Sequence, residues 1–524
     1  MRDAAGTERK GAAHGSGEGS RDLGDSAGRA ASGVPCGLDL TRGAVGPLVR
    51  RIAVPAGVGY LFHTMFNVVD TWYAGRISTT ALAALSLSFP AFFLILALGS
   101  GMATGATALI GNALGAGNRE EASGFAAQGI VFGVLVSGLL TGVSLAAARP
   151  LFVSLGAHGA YLQACLDYMV PIFWCSCLFI GIYQLNAGLQ SQGDTRSIRN
   201  FLIMGSLLNV GLDPLFIHGF TVRGVGLPGF GVPGIAWATV AVQAMGCVYL
   251  SARLARSGLM DGLRARDFLP RFATIRAIAG QGLPASLDYL CVGLGIYIII
   301  WFISGYGEAA VASYGIATRI EQIVLLPSIA LSVATLAMTA QNMGARRFER
   351  VLETLGTTLR GGFYIMCLGT AFVVLGAAPL MRLFTDDPAV VAAGAGYLRI
   401  EGFALYGYVL LYVHISALQG AKRPVFAVWM GLFRQIAAPV PVFYLATRVI
   451  GMGLTGLWWS IFAIVWFSAV AAFFISRRIL ARTIRESAAR AREEPGIETG
   501  TETGTETGAE AEAGAGAEAR EENA

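Results

Sequence analysis

The chain has 524 residues, 54% of them hydrophobic and only 14% charged, with a mean hydropathy of +0.60. A soluble domain of this length carries far more charge, so the composition points to a multi-pass membrane protein. The formal net charge of +5 comes from loop arginines, with only Lys10 and Lys422 as lysines, and is no signal for nucleic-acid binding.

Residues 1–40 are rich in Gly, Ala, Ser and charge, lack the apolar stretch of a signal peptide, and are expected to be a disordered tail. Twelve apolar runs follow, at 50–72, 81–108, 125–147, 168–190, 198–217, 232–253, 280–303, 309–338, 358–380, 397–418, 425–447 and 454–476. The first six form a first lobe within 41–253. A charged linker occupies 254–279, and the last six form a second lobe within 280–485. Residues 486–524, with Thr-Glu-Thr-Gly repeats and Ala/Glu runs, are expected to be a second disordered tail. The expected fold is all-α, with twelve transmembrane helices in two six-helix lobes.

The two lobes repeat at an offset of 229 residues without a gap: Pro55/Pro284, Tyr60/Tyr289, Gly115/Gly344, Tyr168/Tyr397 and Gln190/Gln419 all match. Repeated Pro and Tyr carry weight because both are uncommon here. Six spans per repeat is even, so both repeats enter the membrane in one orientation. That implies a pseudo-two-fold axis along the membrane normal and a transporter with its site between or within the lobes. Most basic residues, from Arg50 and Arg119 to Arg264, Arg346 and Arg477, fall in one set of loops. The opposite set holds only Arg76, Arg149, Arg223, Arg382, Arg399 and Arg448. The positive-inside rule then puts both termini in the cytoplasm of a cell-membrane protein.

Charge inside a span is costly and marks a candidate site. Asp70 ends the first span and Asp213 lies in the fifth, at similar depth in the outer half. Asn209 shares a helix face with Asp213, and Asn67 is expected to share one with Asp70. Thr239 enters at the same level from the sixth span. Carboxylates, an amide and a hydroxyl are hard oxygen ligands suited to Na⁺, and paired carboxylates equally suit a proton. At the repeat positions stand Ile299, Ala438 and Val442, so the fold does not require the polar set. His63, seven residues before Asp70, is read as a proton relay or a packing residue. Pro55 is expected to kink the first span. In the second lobe Asp288, Arg319, Glu321 and Arg434 lie within spans, with a structural ion pair such as Glu321–Arg434 expected. The seven cysteines form neither a disulfide framework nor a zinc site.

These residues resemble the MATE (multidrug and toxic compound extrusion) family. The resemblance rests on Asn67-Val-Val-Asp70, Tyr73-Ala-Gly-Arg, Gly115-Ala-Gly-Asn-Arg-Glu, Gln192-Gly-Asp-Thr-Arg196, Asn209-Val-Gly-Leu-Asp213-Pro, Gly234-Ile-Ala-Trp-Ala-Thr239 and Gln341-Asn-Met-Gly-Ala-Arg-Arg. It spans about 45–480 and is closest to the DinF-like branch. It implies a Na⁺- or H⁺-coupled antiporter, working as a monomer, that exports cationic amphipathic small molecules. Asp70, Asn209, Asp213 and Thr239 match its cation-binding positions, Asn186 a polar cavity residue and Pro55 a bending proline. The acidic second-lobe site of another branch is missing at Val292 and Tyr408, and a Gly/Pro-rich insertion lies at about Thr221–Gly231. No cofactor is implied beyond the coupling ion, and no partner beyond membrane lipid.

No GxxxxGK[ST] is present, and the GxGxxG at Gly224, Gly226 and Gly229 lacks a strand–helix setting, so neither an ATP-driven pump nor a nucleotide site is expected. No HExxH or G-x-S-x-G occurs, which argues against a membrane enzyme. The rival reading is a lipid-linked oligosaccharide flippase of the same superfamily, which needs a basic cavity.

Overall fold

The structure, a computed structural model, describes residues 38–222 and 225–493. Most of both tails expected to be disordered lies outside the described residues, as does Arg223. Each apolar run becomes a helix because its backbone groups have no water to bond to in a bilayer. The first lobe holds α1 (Val45–Ile77), α2 (Thr79–Gly115), α3 (Arg119–Ser154), α4 (Gly159–Trp174), α5 (Ser176–Ser191), α6 (Arg196–His218) and α7 (Val232–Ala255). The second holds α8 (Phe272–Ser304), α9 (Glu308–Gly344), α10 (Phe348–Arg382), α11 (Pro388–Glu401), α12 (Leu405–Gly420), α13 (Val425–Leu432), α14 (Pro439–Tyr444) and α15 (Gly453–Glu493). Among the described residues, eleven helical stretches are long and apolar enough to cross a membrane, and α4 with α5, bent by 48° at Cys175, completes twelve.

Several expected boundaries are corrected. The spans run longer than their apolar cores; α4 begins nine residues before 168, where polar residues hid it. The linker is shorter, since α8 starts at Phe272 rather than 280. Residues 486–493 are helical, not disordered, and Arg482 pairs there with Glu486 at 2.8 Å. Leu40, placed in the N-terminal tail, is fully buried. The insertion after α6 forms an antiparallel hairpin, β1 (Gly219–Val222) with β2 (Val225–Pro228).

Helix starts follow local chemistry. Asn118 caps α3 by accepting from the Glu121 amide (3.0 Å), and Asp387 caps α11 by accepting from Ala389 (2.8 Å). Asp194 accepts from the Arg196 and Ser197 amides at 3.0 and 3.1 Å, anchoring the start of α6. In the linker, the Arg264 amide and the Arg271 guanidinium hold the Asp267 carboxyl below the usual carboxylate range.

The lobes meet on the arginine-rich side, with repeat-related contacts on either side of the pseudo-axis. Gly101 of α2 sits on Ser286 of α8, and the equivalent positions Ala330 and Gly57 meet on α9 and α1. Gly115 packs on the Gln341 carbonyl and Gly344 on that of Asn112, approaches that leave no room for a Cβ. Asn112 Nδ2 donates to the Gly420 carbonyl (2.9 Å), and its repeat partner Gln341 donates through Nε2 to Ser191, the partner of Gly420 (2.6 Å).

The turn after α5 uses Gly193 at φ +77°, and its repeat partner after α12 is Lys422 at φ +60°. A side chain in that left-handed region is strained, so Lys422→Gly is expected to raise stability by about 1 kcal/mol. Thermal unfolding of the purified protein checks this; a lowered midpoint would contradict it.

Candidate functional site

In the first lobe four helices converge on one buried oxygen cluster. Asp70 near the end of α1 is 5% exposed, and Asp213 in α6 is fully buried. Thr239 of α7 donates to Asp70 Oδ2 at 3.2 Å, and Asn209, one turn before Asp213, donates to Asp213 Oδ1 at 3.0 Å. Asp213 and Asp70 are neighbours in this cluster. Yet Asp70 Oδ1, Asp213 Oδ2 and Asn209 Oδ1 are all buried without a donor. Unpaired buried acceptors are costly, and two facing carboxylates cannot both stay charged without a cation between them. The donor set therefore fits a shared proton or a small monovalent cation such as Na⁺. Among the described residues no cluster of three or more His, Cys, Asp or Glu has metal-holding geometry. Tyr168 of α4, which the sequence marked only as a repeat match, lies near both carboxylates.

Other expected members lie apart from this cluster. Asn67 is exposed and its Nδ2 donates to the His63 carbonyl (2.9 Å), so it turns away from Asp70. Three residues along a helix leave a 60° offset, and the back-bond to His63 fixes the outward side. His63 is half-buried on α1. Asn186 of α5 donates to Gln190 at 3.4 Å and keeps a buried, unpartnered Oδ1. Pro55 is buried within α1, which runs as one unbroken helix through it.

The second lobe carries an acidic pocket around Glu321, a candidate the sequence named, to which the structure adds Glu401; positions 292 and 408 are Val and Tyr, as expected. Glu321 of α9 accepts from the Tyr397 hydroxyl at 2.6 Å, and Tyr397 is the repeat partner of Tyr168. Glu401, one turn after Tyr397 on α11, is 1% exposed, interacts with Glu321, and has both carboxyl oxygens without a partner. Tyr314, Tyr397 and Trp458 pack edge and face around them, with ring centroids 5.0–6.0 Å apart. The expected Glu321–Arg434 ion pair is not formed among the described residues. Arg434 instead lies 5.9 Å from the Tyr408 ring centre. It sits on a π-helical turn, Phe433–Ala437, that interrupts the span. Glu321, Arg434, Tyr408 and Tyr412 line one cavity of about 150 Å³. Arg319 is exposed and does not line it. Tyr60 lies near its repeat partner Tyr289 and near Tyr183.

Two repeat-related six-span lobes with buried carboxylates define a multi-pass membrane transporter rather than an enzyme. The sequence profile of the MatE family matches residues 55–215 and 284–445, and the chain belongs to that family. A FAD transporter of Shewanella oneidensis is 26% identical over 443 residues, covering 83% of this chain and 95% of the relative. The multidrug export protein MepA of Staphylococcus aureus is 23% identical over 434 residues, 82% of this chain and 92% of the relative. Crystal structures of a MATE protein in straight and bent conformations match with TM-score 0.80 and 25% identity. They cover 86% and 87% of this chain and all of the other. A MOP-superfamily transporter from Pyrococcus furiosus, described as having a binding pocket of reversed polarity, matches equally well at TM-score 0.80 and 25% identity, over 86% of this chain and 99% of its own.

Tyr397→Phe removes the donor to Glu321 and leaves a buried carboxylate unsatisfied. It is expected to cost about 1–3 kcal/mol of stability, read as a lower unfolding midpoint in detergent. An unchanged midpoint would contradict the bond's importance.

Proposed function

We propose that this protein is a cell-membrane efflux antiporter that exchanges inward-moving Na⁺ or H⁺ for cationic amphipathic small molecules. The observation that carries the reading is the first-lobe cluster: three buried oxygens, on Asp70, Asp213 and Asn209, lack any donor. A site that must take up a positive charge to relax is a natural coupling site. Thr239 orients Asp70, and Asn209 orients Asp213. Both termini are placed in the cytoplasm by the arginine bias, the working unit is a monomer, and the first-lobe set accords with the DinF-like branch.

The lobes are bolted together on the arginine-rich side, so this state offers its binding surfaces to the opposite side. Ion entry at Asp70/Asp213 changes the first lobe, substrate leaves outward, and the ion leaves inward when the lobes rock. The solved straight and bent forms of a MATE protein support a conformational change of that kind.

A second reading concerns the cargo. The Arg434-bearing aromatic pocket suits a planar substrate that carries an anionic group, and a FAD transporter stands among the relatives. A lipid-linked oligosaccharide flippase is disfavoured, because the embedded charge of the first lobe is acidic.

The test uses proteoliposomes with one imposed gradient at a time. A fluorescent organic cation is expected to move against either a Na⁺ or a pH gradient, with Asp213→Asn slowing that movement about tenfold or more. Gradient-driven flavin movement instead would select the second cargo. Undiminished transport by Asp213→Asn would overturn the coupling role.

A further inference from the structure

The segment just before α1 is held in a way its repeat partner is not. Leu40 is fully buried, whereas Leu269, its partner 229 residues on, is 65% exposed. Leu40 is clamped through its backbone. Its amide donates to Gln341 Oε1 at 3.1 Å, and its carbonyl accepts from Asn342 Nδ2 at 3.1 Å, both on α9 of the second lobe. Two residues earlier, the Leu38 amide donates to the Gln192 carbonyl of the first lobe at 3.0 Å. Farther along, Arg347 donates to the Thr41 carbonyl (2.7 Å) and Arg350 to that of Gly43 (2.8 Å). The segment thus bonds to both lobes, at the place where Gln341 already reaches across to Ser191. Asn342 has Ala113 as its repeat partner, so the first lobe lacks this clamp. The equivalent segment, which leads into α8, is instead held by a single side chain of the first lobe, Gln128 on α3, donating to the Asp267 and Leu269 carbonyls at 2.7 and 2.8 Å.

We propose that Leu38–Gly43 is a releasable strap that locks the arginine-rich side of the two lobes shut and must leave before that side opens. The proposal rests on the alternating-access reading above. A short non-helical segment suits this role. Its hold is one buried side chain and a few side-chain-to-backbone bonds, which break together without unfolding a helix. Because the strap bonds only in the closed state, it stabilises that state by its differential contacts alone.

The test is a distance measurement between spin labels at Glu120→Cys and Glu349→Cys, repeat-related exposed sites at the arginine-rich ends of the two lobes. Cys36, Cys177 and Cys367 are replaced by Ala in the full-length chain. Leu40→Ser removes the strap's buried side chain, and Arg350→Ala removes one tether instead. The strap predicts that a longer-distance population, minor in the parent, grows about tenfold or more in Leu40→Ser and rises in Arg350→Ala. Two populations in the parent with an unchanged ratio in both variants would overturn the strap while leaving alternating access intact. A single distance in every protein would overturn both. Loss of the folded protein in both variants would also overturn it, since a releasable strap cannot be a folding requirement.

Discussion

The structure turns on the cost of placing a carboxylate where water cannot reach it. In a bilayer interior an unpaired charge is expelled, neutralised or matched. This chain does none of these fully within itself. Asp70 and Asp213 face one another across α1 and α6, with one donor each from Thr239 and Asn209 and oxygens left over. Glu321 and Glu401 repeat the arrangement in the second lobe, with Tyr397 as the donor. A transporter has reason to keep such incomplete sites. A fully satisfied network would be more stable but would have nothing to gain from an ion.

The repeat shows what the scaffold needs and what function added. Closure contacts are kept in both halves: the Gly115 and Gly344 crossings and the bonds from Asn112 and Gln341. They need small residues and amides at fixed places because two helices meet there backbone to backbone. The acidic sites are not kept in register. In the first lobe they sit on α1 and α6, in the second on α9 and α11, and only the tyrosine pair Tyr168/Tyr397 is common. Each lobe has used one buried tyrosine as a wall and set carboxylates against it from different helices.

Much of this was legible in the sequence, for physical reasons. Long apolar runs in a bilayer have only one regular structure open to them, so the helices and their pairing into lobes followed from hydropathy and the 229-residue period. Asp70, Asn209, Asp213 and Thr239 stood out because polar groups at one depth are expensive unless they meet. Glu401 was overlooked although it lies within the tenth predicted span, near its start, where a charge is easily taken for a loop residue. Its spacing of four from Tyr397 was the available signal. Asn67 was misassigned because sequence spacing gives a helix face only to within about 60°, and a local back-bond decided the rest. Leu40 carried no signal, since a strap has no period and its bonds join residues about 300 positions apart.

The central claim is that the first-lobe oxygen cluster takes up the coupling ion. Direct binding to the purified full-length chain tests it, with radioactive Na⁺ and proton release or uptake followed on the same sample. The account predicts saturable binding of one of these ions that is lost in Asp70→Asn and in Asp213→Asn but kept in Glu321→Gln. Binding that survives both first-lobe substitutions, or that vanishes only with Glu321→Gln, would contradict it.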